Sequence, residues 1–233
     1  LKDVEAGAVN IGLSDVFEQT KASTPTQYAD LVDHQVAVVA FTLVVNNDLK
    51  GKVSNLTVAD IQKIYFGQVT SWSQLGGPNE AITVVNRPTA SGTRATFKQY
   101  ILGGKDEANN GSITQDTTGA VVQAVSGTPG AIGYVSTGFA ISNAGQVSPL
   151  CINSYKPIAT DINTGNYPFY NIEHAYTKGP ATGAAKALLQ YVLSDQVQNN
   201  DLLAKGYLQT KTLTAAAVAS HTPSGAPTPE ALS

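Results

Sequence analysis

The feature that most constrains the fold is a nearly continuous run of apolar, mostly β-branched residues from Val36 to Val45. A strand with one solvent-exposed face alternates apolar and polar residues, whereas an unbroken apolar run is typical of a strand buried on both faces. Helical and strand-like patterns alternate along the rest of the chain, as they do in α/β proteins. We therefore predict an α/β protein in which the strand over 36–45 lies at the centre of a sheet.

Composition narrows the classes of function. The chain has 233 residues, of which 42% are hydrophobic and 13% charged, so it can bury a sizeable core. Its net charge of −3, without a local cluster of basic residues, argues against nucleic acid as a partner. Its apolar runs are shorter than the roughly 20 residues that cross a bilayer. The single cysteine, Cys151, excludes an internal disulfide and the paired cysteines of a structural zinc site.

Local patterns predict further elements on either side of the central strand. Asp15, with Glu18 three residues later, matches a capping box, which predicts a helix that begins at Asp15. Thr57 is expected to cap a helix that Gly67 ends. We also expect helices over 1–6 and 180–193, strands over 9–13, 82–85 and 131–135, and a poorly packed tail from about residue 221.

The clearest chemical signal is the segment Val84–Phe97, which reads VVNRPTASGTRATF. A strand leads through a short turn to Ser91, Gly92 and Thr93, which open a helix. The backbone N–H groups of that first turn, the helix dipole and two hydroxyls converge on one point, and Gly92 has no Cβ to obstruct a ligand. This pattern predicts an anion site at the helix N-terminus.

Two arginines could complete this site. Arg87, four residues before Ser91, could place a planar guanidinium against two oxygens of a tetrahedral anion, and Arg94 is a second candidate of lower rank. Taken singly, Ser91 is more often a plain helix cap and Arg87 a solvated surface charge. Their occurrence together with a strand and a helix start favours the anion site.

Asp15 is a candidate for selecting the anion, although a helix cap is its ordinary role. Phosphate still carries a proton near neutral pH, and a buried carboxylate can accept a hydrogen bond from it. Sulfate has no such proton, so a carboxylate facing it would be unpaired and repelled. A site that includes Asp15 is therefore expected to prefer phosphate.

Five segments, in order, resemble the phosphate-binding proteins of bacterial ABC transporters, and together they cover nearly the whole chain. They are VNIGLSD, LTVADIQKIYFGQVTSWSQLGG, NRPTASGTRATF, TPGAIGYVS, and TGNYPFYNIEHAYTKG followed by AKALLQYVLSDQVQNNDLLAKGYL. The resemblance implies phosphate contacts from Asp15, Arg87, Ser91, Gly92 and Thr93, with Ser14 and Arg94 as adjacent residues of lower rank. It implies no catalytic residue, metal or cofactor.

The resemblance also implies a two-lobed periplasmic-binding-protein type II fold, in which each lobe is a mixed sheet flanked by helices and two crossing strands join the lobes. Residues 1–43 plus 141–233 would form one lobe and 44–140 the other. Asp15 and the segment 87–93 would then lie on different lobes that close on the ligand by a hinge. The protein would be an extracytoplasmic monomer, periplasmic or a cell-surface lipoprotein, that delivers inorganic phosphate to ABC permease subunits.

Two departures from the family pattern affect the site. Thr89 stands where relatives often carry an acidic residue that steadies the arginine, so we expect Arg87 to have another partner. In the family, a first strand and two loops rich in Gly, Ser and Thr precede the position matched by Leu1. We therefore expect this chain to carry part of the anion site.

Three alternatives remain open at the level of sequence. The ligand could be another oxyanion such as molybdate or sulfate, and the chain could be a phosphate-sensing domain. A phosphatase is less favoured, because such enzymes commonly need two close metals or a nucleophile with a base. The available histidines, His34, His174 and His221, are widely spaced and share no ligand motif.

Overall fold

The structure is a computed structural model that describes residues 1–24, 26–108 and 112–232, so Ser233, the last residue of the predicted tail, lies outside it. The strands are β1 Gly12–Ser14, β2 Leu31–Asn46, β3 Asn55–Leu56, β4 Thr83–Asn86, β5 Ile113–Thr114, β6 Ala131–Ser136, β7 Val147–Pro149, β8 Cys151–Ile152, β9 Tyr170–Lys178 and β10 Tyr207–Leu208. The α-helices are α1 Lys2–Glu5, α2 Val58–Tyr65, α3 Gly92–Tyr100, α4 Thr118–Gly127, α5 Thr137–Ser142, α6 Ala159–Asn163, α7 Gly183–Val192, α8 Leu202–Ala204 and α9 Ala215–Ser220.

The chain divides into two compact units. Unit 1 comprises Leu1–Val39, Asn163–Gly165 and Asn171–Ser233, and unit 2 comprises Ala40–Ile162 and Asn166–Tyr170. Strands β2 and β9 each contribute residues to both units. The second boundary lies later than the expected position near residue 141, because β7 pairs with β2 and β8 pairs with β3 inside unit 2.

The long apolar run behaves as predicted, since every residue from Val36 to Val45 is buried. In unit 2 the strand order is β2–β6–β4–β5, with β6 antiparallel to β2 and β4 parallel to both β6 and β5. Helix α4 packs against β4 and β6 and buries Val121 and Val125 in their core. The carboxyl ends of the parallel strands β4 and β6 therefore lie at the same edge of the sheet, where loops of α/β proteins bind ligands.

Unit 1 is built around β9, which lies between β1 and β2 in the strand order. Strand β1 is antiparallel to β9, with Ser14 opposite His174, and β10 is antiparallel to β2. His174 is fully buried, its Nδ1 lies 2.8 Å from Asp33 Oδ1, and its ring packs 4.2 Å from that of Phe17. These contacts give unit 1 a core that combines aromatic rings with a buried hydrogen-bonded pair.

The prediction of a helix beginning at Asp15 is wrong. Asp15 lies in a bend, and a short 3₁₀ turn follows at Glu18–Thr20 with Phe17 at its cap position. The Ser14 hydroxyl donates to the Val16 carbonyl at 2.7 Å and accepts from the Val16 N–H at 3.2 Å. Such local side-chain bonds stabilise a turn in competition with the helix.

The tail from residue 221 is packed, contrary to expectation. The Glu230 backbone N–H donates to the Asp33 carbonyl at 2.8 Å, and the Glu230 carboxylate accepts from the Ala181 N–H at 3.2 Å. Leu232 packs against the cluster that contains Val36. Polar composition alone predicted a loose tail, but specific backbone partners and one apolar side chain hold it against unit 1.

The predicted caps of two helices are confirmed. Thr57 caps α2 in a capping box with Asp60, and Ser91 caps α3. Among the described residues, none of the helices has both the length and the apolar character of a membrane span.

Candidate anion-binding site

Helix α3 begins at Gly92 with Ser91 at its cap position, as the sequence predicted. Ser91 has an extended backbone, and its Oγ accepts the N–H of Arg94 at 3.3 Å. The hydroxyl hydrogen of Ser91 takes no part in that bond. Helix geometry leaves the N–H groups of Gly92 and Thr93 without acceptors inside the helix. Together these groups form a set of donors at the positive end of the helix dipole.

Arg87 is buried at the carboxyl end of β4, with 9% of its surface exposed. Its Nη2 donates to the Asp116 carbonyl at 2.6 Å, whereas Nε and Nη1 are buried without a hydrogen-bond partner among the described residues. Burying a charged group with unused donors is unfavourable unless a partner satisfies them. The arrangement therefore suits an anion that takes up the remaining guanidinium donors.

The peptide group of Arg87 is held on both sides. Its N–H donates to the Tyr134 hydroxyl oxygen at 3.3 Å, and its carbonyl accepts from Arg94 Nη1 at 2.5 Å. Tyr134 in turn donates to Glu107 Oε1 at 2.7 Å, and Arg94 Nε lies 4.0 Å from Glu107 Oε2. Arg94, ranked below Arg87 as an anion contact, is thus engaged with the Arg87 backbone and with Glu107.

Burial shifts the pKa values of Glu107 and Tyr134. Burial raises the pKa of Glu107, although the hydrogen bond from Tyr134 and the charge of Arg94 oppose the shift. Burial, followed by the Glu107 charge, also raises the pKa of Tyr134, so its hydroxyl stays protonated and can donate. The support beneath Arg87 therefore consists of hydrogen bonds that are protected from solvent.

The partner of the Arg87 guanidinium is a backbone carbonyl and not an acidic side chain. Thr89 is exposed, and the partner of the guanidinium is the carbonyl of Asp116. That carbonyl is positioned because Asn86 binds the neighbouring segment, accepting from Thr114 Oγ1 at 2.7 Å and donating to Ser112 Oγ at 3.0 Å. The expected alternative partner of Arg87 is thus supplied by the chain around β5.

Asp15 belongs to unit 1 and follows β1 directly. The antiparallel register of β1 with β9 ends where Ser14 pairs with His174, and Asp15 follows in a bend. Burial, followed by the negative charge of Asp15, raises the pKa of Glu173 to about 8. Ser14, the lower-ranked neighbour, uses its hydroxyl in the turn with Val16.

The histidines each have a hydrogen-bonding partner among the described residues. Within the described ranges, no group of three or more His, Cys, Asp or Glu side chains could hold a metal ion. His34 Nε2 lies 2.8 Å from Thr177 Oγ1, and His221 Nδ1 lies 2.9 Å from Ser220 Oγ. Both histidines thus have local hydrogen-bonding roles.

Sequence reasoning missed the residues that support the candidate site. Tyr134, Glu107 and Asp116 are distant from Arg87 in sequence, and their roles depend on how the strands pair. Glu173 carried a weak signal, because this acidic residue stands between the buried residues Ile172 and His174. Thr137, the first residue of α5, has a buried hydroxyl without a hydrogen-bond partner among the described residues.

Comparison with known proteins identifies the class. A family model described as a PBP superfamily domain matches residues 1–196. The chain therefore belongs to the PBP superfamily.

Particular relatives narrow this class. The phosphate-binding protein PstS of Bacillus subtilis is 42% identical over 208 residues, which cover 89% of this chain and 67% of that protein. The resemblance seen in the sequence is thereby confirmed. The expectation of a binding protein rather than an enzyme agrees with the name of this relative.

Solved structures establish the fold. A proposed phosphate ABC transporter substrate-binding protein with bound phosphate from Clostridium perfringens matches with a TM-score of 0.78 and 23% identity, over 90% of this chain and 82% of that chain. An ABC-type phosphate transport receptor from Vibrio cholerae matches with a TM-score of 0.70 and 21% identity, over 89% and 83%. The predicted α/β fold of the periplasmic-binding-protein type II class is confirmed.

Proposed function

We propose that this chain is an extracytoplasmic solute-binding protein that captures inorganic phosphate and delivers it to an ABC permease. The observation that carries the proposal is the buried guanidinium of Arg87, whose Nε and Nη1 have no hydrogen-bond partner among the described residues. It stands one short turn before the donors of the α3 N-terminus. The 42% identity to a protein named as phosphate-binding supports the same ligand.

Phosphate would be held by locally directed donors. Arg87 would supply the cation, Gly92 and Thr93 their backbone N–H groups, and Ser91 and Thr93 their hydroxyls. The net charge of the chain is −3, so its overall electrostatic field would not attract an anion. Binding would therefore require phosphate to exchange its hydration water for hydrogen bonds to these few groups.

Asp15 would provide selectivity. Its carboxylate would accept the proton that phosphate retains near neutral pH, and it would repel sulfate, which has none. Ser14 and Arg94 are proposed only as supporting neighbours of the contact residues, because their side chains have local partners.

The proposed setting is that of the transport relatives. The protein would act as a monomer outside the cytoplasm, in a periplasm or as a cell-surface lipoprotein, and its protein partners would be ABC permease subunits. The names of the relatives and structural neighbours, which refer to phosphate binding and ABC transport, support this setting.

Titration calorimetry on the full-length gene product tests the ligand and the site together. Arg87→Ala should weaken phosphate binding by roughly 2 to 5 kcal/mol, because a desolvated anion then lacks its cation. Lys50→Ala is the matched control, since it removes one exposed positive charge outside the proposed site. Unchanged affinity in Arg87→Ala would refute the assignment of the site.

Competition between anions distinguishes phosphate from the other oxyanions. Phosphate should displace bound radiolabelled phosphate, and a large excess of sulfate or molybdate should not. Equal displacement by sulfate would remove the role assigned to Asp15 and would favour a general oxyanion-binding protein.

A further inference from the structure

Arg87 and Arg94 are two buried arginines of unit 2 whose side chains meet different partners. Only 9% of Arg87 and 8% of Arg94 is exposed. Nε of Arg94 lies 4.0 Å from Oε2 of Glu107, whose side chain is itself buried. The Arg87 guanidinium instead donates to the neutral carbonyl of Asp116. A carboxylate thus lies beside one arginine, whereas the contact of the other is with an uncharged group.

Glu107 closes a ring of contacts around the Arg87 backbone. Its Oε1 accepts the Tyr134 hydroxyl at 2.7 Å, and the oxygen of that hydroxyl accepts the Arg87 N–H at 3.3 Å. On the other side of the ring, Oε2 faces Arg94 Nε, while Nη1 of the same guanidinium donates to the Arg87 carbonyl at 2.5 Å. The N–H and the carbonyl of Arg87 are therefore both tied to one buried carboxylate, each through one intermediate side chain.

The surroundings of Glu107 hold its carboxylate in this ring. The N–H of the next residue, Ala108, donates to the Tyr65 carbonyl at 2.8 Å and so fixes the backbone beside Glu107. The ring of Tyr134 stacks on that of Phe97 in α3, with centroids 4.3 Å apart and an angle of 19° between the planes. Both ends of the hydrogen bond between Tyr134 and Glu107 are thus held by the core of unit 2.

Charge balance gives the two arginines different roles. An arginine stays charged in a protein, and a buried charge is costly without a partner. Burial raises the pKa of Glu107, but the hydrogen bond from Tyr134 and the charge of Arg94 oppose this rise, so both contacts favour the carboxylate. The charge of Arg94 is then balanced by Glu107, and the charge of Arg87 remains available to a ligand.

We propose that Glu107 is a positioning residue for phosphate binding, which holds Arg94 as a bridge to the Arg87 carbonyl and leaves Arg87 as the cation that meets the anion. This role rests on the proposed phosphate-binding function and adds to it a residue outside the contact set. The contacts that it requires all lie within unit 2. Arg94, predicted as a lower-ranked contact of the anion, acts through Arg87 instead.

The test measures the phosphate affinity of Glu107→Gln in the full-length protein by titration calorimetry. Glutamine keeps an oxygen that accepts from Tyr134 but removes the charge that holds Arg94. Removal of a negative charge would by itself favour the binding of an anion, whereas a less firmly held Arg87 would bind it less well. We expect the positioning effect to dominate, with phosphate affinity about fivefold weaker than in wild type.

Asp106→Asn is the matched control, because it removes the same charge from the adjacent residue. The Asp106 side chain is 64% exposed and pairs with Lys98 at 2.8 Å. Exposed ion pairs contribute little, so phosphate affinity should stay within about twofold of wild type. If Glu107→Gln bound phosphate as tightly as wild type or more tightly, the positioning role would be wrong.

A double-mutant cycle tests whether Glu107 acts through Arg94. Arg94→Gln removes the bridge to the Arg87 carbonyl and should itself weaken phosphate binding. In that background Glu107→Gln should change the affinity by less than about twofold, because the bridge that it supports is already lost. The same loss in both backgrounds would refute action through Arg94. Unchanged affinity in Arg94→Gln alone would refute it as well, even if Glu107→Gln failed to fold.

A measurement without phosphate separates this role from the proposed ligand. Hydrogen exchange of the Arg87 amide, followed by NMR, reports how firmly the ring holds it. Relative to the amide of Val85 on the same strand, it should exchange at least about fivefold faster in Glu107→Gln than in wild type. An unchanged ratio would overturn the inference. Faster exchange in a protein that bound no phosphate would mean that the ligand is wrong and that the ring around Arg87 stands.

Discussion

Arg87 is held through its backbone, while Nε and Nη1 of its guanidinium have no hydrogen-bond partner in the part of the chain that the structure describes. The Tyr134 hydroxyl accepts its N–H, and Arg94 Nη1 donates to its carbonyl. The Asp116 carbonyl accepts a hydrogen bond from Nη2 of its guanidinium. A residue fixed in this way loses little further conformational entropy when it binds a ligand, which favours affinity. The Arg87 side chain is therefore positioned in advance for the proposed anion.

The hydroxyl of Tyr134 links the Arg87 backbone N–H to the Glu107 carboxylate. In Tyr134→Phe the Arg87 N–H loses its acceptor and Glu107 loses its donor, so both are left buried without those bonds. We expect the free energy of unfolding to fall by about 1 to 3 kcal/mol, with weaker phosphate binding as well. Urea denaturation followed by circular dichroism measures the change in stability.

Tyr155→Phe is the control for this variant, because Tyr155 is exposed. It should change the unfolding free energy by less than about 0.5 kcal/mol. Equal stability of Tyr134→Phe and Tyr155→Phe would mean that the Tyr134 hydroxyl does not support Arg87.

At the scale of elements, β2 is joined to the end of α4 by one side chain. Asn46, the last residue of β2, directs its Nδ2 at the carbonyls of Val125, Ser126 and Thr128, at 2.9, 3.0 and 2.9 Å. The last carbonyls of a helix lack partners inside it, so Asn46 serves as a cap supplied from a remote strand. It links the central strand to the helix that packs on β4 and β6.

Removal of this link should destabilise unit 2. Asn46→Ala removes the Nδ2 donor that the three carbonyls share, and we expect a loss of about 1 to 3 kcal/mol in the free energy of unfolding. Asn79→Ala, at an exposed position, is the matched control. Thermal unfolding of both variants provides the measurement, and a neutral Asn46→Ala would show that the remote cap contributes nothing.

The whole molecule is acidic, yet its proposed ligand is an anion. Lys50→Glu changes the net charge from −3 to −5, because one positive charge is replaced by a negative one. Exposed charges are screened within about 8 to 10 Å at physiological ionic strength, so phosphate affinity should change by less than about twofold.

Arg87→Lys keeps the net charge and should still weaken phosphate binding by at least about tenfold, because a lysine cannot reproduce the planar set of donors. Calorimetry of the two variants in the same buffer compares the two effects. A larger loss in Lys50→Glu than in Arg87→Lys would mean that overall charge, not local donors, governs binding.

The sequence by itself determined the features that depend on neighbouring residues. The apolar run over 36–45, the caps at Thr57 and Ser91 and the strand–turn–helix order around Arg87 are local, since periodicity and capping act within a few residues. These features sufficed to predict the α/β class, and the matched segments sufficed to predict the family.

Only the tertiary structure decided the contacts between residues distant along the chain. The register of β1 against β9 brings Ser14 opposite His174, and the pairing of β4 with β5 and β6 brings the Asp116 carbonyl and Tyr134 to Arg87. The failed helix at Asp15 has the same origin, because a capping pattern describes a possible local structure and the turn at Ser14 was more favourable in its context. Strand register and burial depend on the whole core, and no local pattern encodes them.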